Sequence, residues 1–519
     1  MRYLAETRGP PALRQSSAFR ELSYQVFGFP LDLAGLCGTL ISSEKPRGLL
    51  DGDGKHGLGD ELLRLQRVHG YALSVFLISV SVRVTWAVLA HVTPISDFRT
   101  YDAIAAGWVQ TGHYGTSAYR TPGYPGFLAV VYAVFGHDPK AAVTVQAFLG
   151  AVSSGLLVLL ASHVVSSRAS FIAGLLHALS PTAVVYVTML ASENLAVPLL
   201  LAGLLCLAAA ADRSHGSAWL TACSAALFGV LLLVRPAGLY FLPAWVLLCA
   251  YSFKRSQRRP RQALVFLAVT ALVLAPWLTR NYLLGLGPLT LSTAGGVNAW
   301  MGNNEAAVTG GGFPASRSPL AYSKLGEKER NSAHLALAVA WARQHPSRYL
   351  SLCLRRAVCL LGPRADPWAA KYLVPTPEND LAMAAARRQY QGDQSVSPAL
   401  VSRALAVQRG NGVWLTAWRA LTFPLVLLAL VLAAFRWRTY AIVLLPALSY
   451  LTGLSLVFAK PRFRELADPL LFVLLAGLLS DLLFGTTELG SRLSRALKAA
   501  IAALLVVASI AVHVFRYAT

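Results

Sequence analysis

The residues of this chain whose types and spacing can do chemistry begin with Ser96-Asp97-Phe98-Arg99-Thr100-Tyr101. Tyr101, Ile104, Ala105 and Trp108 share one helical face, so a helix is expected there, with Asp97 at or before its start. A carboxylate in that place has two readings. It caps the helix and complements its positive end, or it is a general base at a membrane boundary, where partial desolvation tunes its proton affinity. Next comes Tyr119-Arg120-Thr121-Pro122-Gly123-Tyr124-Pro125. Two prolines around a glycine enforce a rigid extended turn before an apolar helix. Its tyrosines are either interface aromatics or ligand contacts, and Tyr101 and Tyr124 are the candidates for the latter.

A third group is cationic: Arg235 before Pro236, Arg280 in Pro276-Trp277-Leu278-Thr279-Arg280-Asn281, and Lys460, Arg462 and Arg464 in Lys460-Pro461-Arg462-Phe463-Arg464. Each sits at the end of an apolar stretch. Such residues either snorkel to headgroups or converge on a bound anion, because guanidinium forks suit phosphate. Glu193, in Ser192-Glu193-Asn194, either complements a helix start or positions a sugar hydroxyl. Gly295-Gly296-Val297-Asn298, Gly302-Asn303-Asn304-Glu305 and Thr309-Gly310-Gly311 read as a tight irregular loop. Its amides, Asn298, Asn303 and Asn304, suit a hydroxyl-rich sugar or acceptor. Arg83, deep in an apolar stretch, is either functional or held by an internal polar partner.

The sequence lacks the phosphate-cradling GxxxxGK[ST], HExxH and GxSxG patterns. Six cysteines (Cys37, Cys206, Cys223, Cys249, Cys353 and Cys359) form no CxxC pair and suggest neither a disulfide framework nor a metal cluster. His334 and His345 read as surface residues of loop helices.

The elements that must position these groups are membrane helices. Of 519 residues, 55% are hydrophobic and 13% charged, about half the charged share of a soluble chain. The apolar residues come in blocks long enough to cross a bilayer. Eleven spans are expected, at 71–92, 140–163, 169–188, 194–211, 218–234, 237–251, 262–278, 413–434, 439–458, 466–484 and 497–515. Tyr124–Phe135 is too short to cross upright and reads as re-entrant or tilted. The fold class is thus an all-α polytopic membrane protein. Its parts are a loosely ordered cytoplasmic extension (1–69, without a cleavable signal peptide), a first transmembrane module (70–278) with an outer loop at 93–139, a large outer loop (279–412) and a C-terminal helical block (413–519). Within the large loop, Leu335, Ala338, Val339 and Ala342, and Leu350, Cys353, Leu354, Ala357 and Leu361, keep helical spacing and predict two surface helices.

The formal charge is +22. Nucleic-acid binding is set aside, because the basic residues sit in connectors between apolar blocks. A cytoplasmic N-terminus puts Arg168, Arg213, the run Lys254–Arg261, Arg436, Arg438, Arg492, Arg495 and Lys498 inside, as the positive-inside rule requires. All the chemically interesting corners then fall on the outer face.

In this order the motifs resemble a family. They are the acid and tyrosine at Ser96, Asp97 and Tyr101, TPGYPGFL (Thr121–Leu128), SEN (Ser192–Asn194), RPAG (Arg235–Gly238), PWLTRN (Pro276–Asn281), GGVNAWMGNN (Gly295–Asn304), QHPSRY (Gln344–Tyr349) and KPRFRE (Lys460–Glu465). From about residue 70 to about 485 the chain is similar to the GT-C membrane glycosyltransferases, in particular protein O-mannosyltransferases and lipid A aminoarabinose transferases. That resemblance implies a polyprenyl-phosphate-sugar donor and transfer with inversion to a lipid, glycan or protein acceptor, on the outer face of the inner (plasma) membrane. It makes Asp97 the catalytic base. Arg280 and Arg462, then Arg235 and Arg464, would hold the lipid phosphate. No cofactor is required; a divalent metal is compatible with the pattern but not implied by it. In one departure, close relatives of the lipid A enzyme carry Glu-Lys-Pro where this chain has Arg120-Thr121-Pro122, so a second acid would have to be Glu193 or Asp102, or one carboxylate suffices. The alternatives are a transporter or flippase for lipid-linked sugars, using the arginines without a base, and a polysaccharide polymerase or ligase with its key residues in the large loop.

Overall fold

The computed structural model describes residues 58–484, except 91, 93, 95–96, 212–217, 253–258, 308–317, 321–322, 364–384 and 386–396. Among the described residues it is all helical. In chain order the helices are α1 (Leu58–Leu89), α2 (Asp97–Thr111), α3 (Gly123–Phe135), α4 (Pro139–Ala161), α5 (Ser167–Ala178), α6 (Pro181–Tyr186), α7 (Glu193–Ala211), α8 (Ala218–Val234), α9 (Leu242–Ser252), α10 (Arg259–Leu283), α11 (Gly295–Gly302), α12 (Glu327–Gln344), α13 (Pro346–Leu361), α14 (Pro398–Phe435), α15 (Trp437–Val457) and α16 (Asp468–Phe484). 3-10 turns at Pro236–Phe241 and Pro461–Leu466 lead into α9 and α16.

Among the described residues six helices are long and apolar enough to cross a membrane: α1, α4, α7, α10, α14 and α15. The other expected spans are shorter, broken or outside the described residues, as 497–515 is. The stretch 169–188 is broken rather than continuous, because Pro181 can neither donate to the ladder nor tolerate a helical residue before it. α5 therefore stops at Ala178 and α6 restarts at Pro181. The stretch 237–251 begins with the 3-10 turn that Pro236 opens. α1 starts at Leu58, so the part of the expected N-terminal extension from Leu58 onward is helical; residues 1–57 lie outside the described residues. Arg168, assigned to a loop, is buried in the first turn of α5.

Local rules explain the ends. Asp138 caps α4 by accepting from the Lys140 amide at 2.8 Å, and Pro139 occupies the first helical position, where its missing N–H costs nothing. The non-helical backbone after α6 is held from within: Gln146 Nε2 donates to the carbonyls of Val187 (2.8 Å) and Met189 (3.1 Å), and Asn194 Nδ2 to those of Tyr186 (2.9 Å) and Met189 (3.0 Å). Irregular backbone among membrane helices needs such partners. Arg83 lies in α1 and is 1% exposed. It donates to Ser79 and to the carbonyls of His177 and Ala178, both at 3.0 Å, the negative end of α5. Gly150 makes room for it: a Cβ there would sit 2.7 Å from Arg83 Nε. The internal-partner reading of Arg83 fits this arrangement.

The described parts of the large loop are mostly helical, while Thr309, Gly310 and Gly311 lie outside the described residues. Gly295–Gly302, read as irregular, is the helix α11. The two expected surface helices are α12 and α13. Arg356 fastens α13 to the end of α15, donating to the carbonyls of Ser455 (3.0 Å), Leu456 (3.2 Å) and Gly302, and to Asn303 Oδ1 at 2.9 Å. His334 is buried, not on the surface; it pairs with Ser318 Oγ at 2.6 Å.

Candidate functional site

Asp97 opens α2. Its carboxylate faces two arginines from distant corners of the chain. Arg120 Nη2 donates to Oδ1 at 2.7 Å and Arg462 Nη2 to Oδ2 at 2.8 Å. Side-chain exposure is 33% for Asp97, 18% for Arg120 and 12% for Arg462, so the trio is partly screened from water.

Each arm is positioned by its own device. Arg120 ends the loop between α2 and α3. Gly112 and Gly115 take positive φ there, conformations that residues with a Cβ rarely adopt. Tyr114 closes the loop by donating to the Arg120 carbonyl at 2.7 Å. The guanidinium of Arg120 lies 5.2 Å from the Tyr101 ring and 5.0 Å from the Tyr119 ring, within cation–π range. Gly123 lets the loop lie directly on the end of α8, since a Cβ would come 2.7 Å from the backbone of Leu233 and Val234. Glu327, at the start of α12, accepts from the Ala118 amide at 2.9 Å and from the Thr293 hydroxyl, tying the large loop to the same place.

Arg462 is aimed by the 3-10 turn. With three residues per turn, side chains two apart point in different directions. Arg462 reaches Asp97, whereas Arg464 turns inward to Asp468 and to the Leu360 and Leu361 carbonyls. Glu465 turns to Arg419 at 3.1 Å. Phe463 supports both Arg462 (5.3 Å) and Arg235 (5.0 Å) through its ring.

The electrostatics follow. Burial alone raises the pKa of Asp97, but the charges of Arg120 and Arg462, the hydrogen bond from Arg462 and the charge of Lys460 outweigh it and hold the carboxyl well below the usual aspartate range. A carboxylate so held is a weak proton acceptor until a cation is drawn away. Arg120 shows the reciprocal effect: burial opposes its charge, while Tyr101, Asp97 and Tyr119 raise its pKa. The cluster carries more positive than negative charge, which suits an anion.

The other candidates separate into those at this end of the bundle and those used elsewhere. Arg280 is close by, but lies against the loop between α2 and α3: it donates to the carbonyls of Gly115 and Ser117 and stacks 4.5 Å from the Trp277 ring. Arg235 and Glu193 form a buried ion pair at 3.0 Å, with side chains 11% and 6% exposed, and Ser192 accepts from the same arginine at 3.1 Å. This departs from Arg235 as a phosphate ligand and from Glu193 as a second acid, since each already neutralises the other. Arg464 departs in the same way, its side chain being 2% exposed and bound to Asp468. Asp102 accepts from Tyr132 at 2.7 Å and pairs with His137 at 2.9 Å, five residues along α2 from Asp97. Tyr101 stands edge-on to Tyr124 at 5.0 Å, but the Tyr124 hydroxyl is buried on Gln146 and so braces the backbone after α6 instead of facing a ligand. Asn303 and Asn304 are buried and spend their amides on backbone carbonyls, Asn303 on Ala299 and Val457, Asn304 on Trp300. Asn298 is half-buried on α11.

Two contributors were given no specific role by the sequence. Arg120 stood out only as the residue replacing a Glu, and Lys460 only as one of several boundary cations. Among the described residues no three His, Cys, Asp or Glu side chains come together in a way that could hold a metal ion. The immediate neighbours of Asp97 are themselves cations, a donor set that does not fit one.

Residues 119–279 match the family model described as dolichyl-phosphate-mannose-protein mannosyltransferase. That match bears out the resemblance to GT-C glycosyltransferases read from the motifs. It begins one residue before Arg120 and ends one before Arg280, so Asp97 and Arg462 lie outside it. No curated protein matches. Among solved structures, the chain is similar to the oligosaccharyltransferase AglB of Archaeoglobus fulgidus in complex with an inhibitory peptide and a dolichol-phosphate, at 15% identity and TM-score 0.45 over 88% of this chain and 55% of that one. The apo form of the same archaeal enzyme gives 16% identity and TM-score 0.46, over 87% and 55%. ArnT of Cupriavidus metallidurans bound to undecaprenyl phosphate gives 15% identity and TM-score 0.34, over 82% of this chain and 79% of that one. The chain thus spans about half the length of the archaeal structures it matches.

Proposed function

We propose that this protein is a membrane glycosyltransferase that moves a sugar from a polyprenyl-phosphate donor to an acceptor on the extracytoplasmic face, with inversion and with Asp97 as the base. The observation that carries this reading is the Asp97 carboxylate at one end of a bundle of apolar helices, gripped by cations from two corners that are 342 residues apart (462 − 120 = 342). A base needs a carboxylate at the membrane boundary, and a lipid phosphate needs guanidinium donors at the same depth. The two requirements meet here.

In the reaction the acceptor O–H or N–H gives its proton to Asp97 as its lone pair attacks the anomeric carbon. The bond from that carbon to the phosphate oxygen breaks on the opposite face. Its electron pair stays on oxygen, and the leaving polyprenyl phosphate gains one negative charge. Arg462 and Arg120 stand where they can stabilise that charge, and holding both substrates in one cleft supplies much of the rate. In this reading Arg280, stacked 4.5 Å from the Trp277 ring, would contribute to holding the lipid phosphate.

The test is transfer of label from a panel of radiolabelled polyprenyl-phosphate sugars in proteoliposomes, with the anomeric configuration of the product read by NMR. Turnover of at least one donor, with inverted configuration, supports the reading. Retention of configuration, or hydrolysis that needs no lipid phosphate, overturns it.

A further inference from the structure

The catalytic reading leaves one feature unexplained. A base should be available to a proton, yet both oxygens of Asp97 are occupied by guanidinium groups at 2.7 and 2.8 Å. Of the two arginines, Arg120 is the one held on a loop. Its Nε is buried and makes no hydrogen bond within the protein, a feature it shares with the Nε of Arg462. A buried donor without a partner is costly, so Asp97 leaves part of the Arg120 fork unused, and the loop that carries Arg120 is what distinguishes it from Arg462. Its guanidinium also rests between the faces of Tyr101 and Tyr119, which hold its charge without fixing its direction. The cluster as a whole carries surplus positive charge.

We infer that Arg120 exchanges partners: it leaves Asp97 for the phosphate of the bound lipid, so that seating the donor is what frees the base. The inference rests on the glycosyltransferase reading and deepens it, by making Arg120 a phosphate-binding residue whose resting partner is the catalytic carboxylate. The chemistry recognised is a phosphate mono- or diester on a lipid. Two oxygens of such a group satisfy the guanidinium fork, Nε included, as one carboxylate oxygen cannot. Before the donor arrives, Asp97 is neutralised and does not draw protons from water or from an early acceptor. After the donor arrives, Arg120 is on phosphate and one oxygen of Asp97 faces the acceptor. The order of binding is therefore donor first. When the product lipid phosphate departs, Arg120 returns to Asp97.

The exchange is a competition, so it is measurable without turnover. The full-length protein in lipid nanodiscs is titrated with radiolabelled undecaprenyl phosphate, as wild type, Asp97→Asn, Arg120→Gln and the double variant, each checked for monodispersity and thermal unfolding. Removing the competing carboxylate should tighten binding about tenfold, within the range of coupling between contacting residues. Arg120→Gln should weaken binding, and in that background Asp97→Asn should give little or no gain. Arg120→Lys, which keeps the charge but not the fork, should fall between. Unchanged or weaker binding by Asp97→Asn overturns the exchange, and so does a gain that persists undiminished without Arg120, which would reflect only the removal of a negative charge. Binding without Asp97–Arg120 coupling removes the exchange and leaves the transferase reading standing. No binding by any of the four proteins removes the lipid-phosphate site itself, and both with it.

Discussion

Arg120 donates to Asp97 Oδ1 at 2.7 Å across 23 residues of chain, joining the loop before α3 to the first residue of α2. The contact sets the proton affinity of the proposed base. The site here is one carboxylate among cations, not two carboxylates.

The first prediction concerns pH. Arg120, Arg462 and Lys460 together hold the Asp97 carboxyl below its ordinary range, which is about 3.9. The acidic limb of kcat/KM, which reports the free enzyme, should therefore lie below that value. Arg120→Gln should move it upward, because burial then acts against fewer cations. The sign for stability is the same: a carboxyl with a lowered pKa in the fold stabilises it above its unfolded value and loses that contribution as pH falls through the folded one. A limb that stays in place in Arg120→Gln would contradict the pairing.

The second concerns the buried pair Arg235–Glu193, at 3.0 Å with both side chains nearly out of solvent. Removing one partner leaves the other charge buried alone. Arg235→Ala should destabilise by about 3–5 kcal/mol, and the Arg235→Met, Glu193→Leu double variant should recover much of it. Denaturation in detergent reads this directly. If Arg235→Ala instead unfolds like wild type and raises donor KM, Arg235 is a substrate ligand after all.

The third separates the two arginines of the KPRFRE segment. Arg462 faces Asp97, while Arg464 is buried on Asp468. Arg462→Gln should raise donor KM and lower kcat with little change in melting temperature. Arg464→Gln should lower the melting temperature and leave donor KM near wild type. The reverse pattern would mean that the turn presents its other side.

The fourth is steric. A Cβ on Gly123 would meet the backbone of Leu233 and Val234 at 2.7 Å, and backbone yields less easily than a side chain. Gly123→Ala should cost about 1–3 kcal/mol and push the loop bearing Arg120 away from α8, so that kcat/KM falls more than stability alone explains. Wild-type kinetics in Gly123→Ala would show that the loop does not depend on this contact.

Much of this was legible in the sequence. Apolar block lengths give the six membrane-length helices among the described residues, though not the full set of eleven expected spans, and Asp97, the TPGYPG turn, Arg280 and Arg462 are all brought to one end of the bundle. What was not legible is how charges are shared. Arg462 and Arg464 look equivalent in sequence, and only the three-residue period of the turn sends one to Asp97 and the other inward. Arg235 and Glu193 are 42 residues apart (235 − 193 = 42), with no local sign that they neutralise each other. Gly295–Gly302 reads as a loop because glycine disfavours helices, but Gly296 and Gly302 are needed where the backbones of Asn331 and Val457 pass too close for a Cβ. Pro181 was the visible sign that 169–188 breaks, outweighed by the apolar run around it.

The most direct test of the central claim is sugar transfer by Asp97→Asn, measured in proteoliposomes beside wild type at equal protein level and with both proteins saturated by donor. If Asp97 is the base, transfer falls by about a hundred- to ten-thousandfold, the usual contribution of a general base, while the lipid phosphate still binds. Transfer at the wild-type rate in that variant would place the proton acceptor elsewhere and reduce Asp97 to a helix-start acid that orders two arginines.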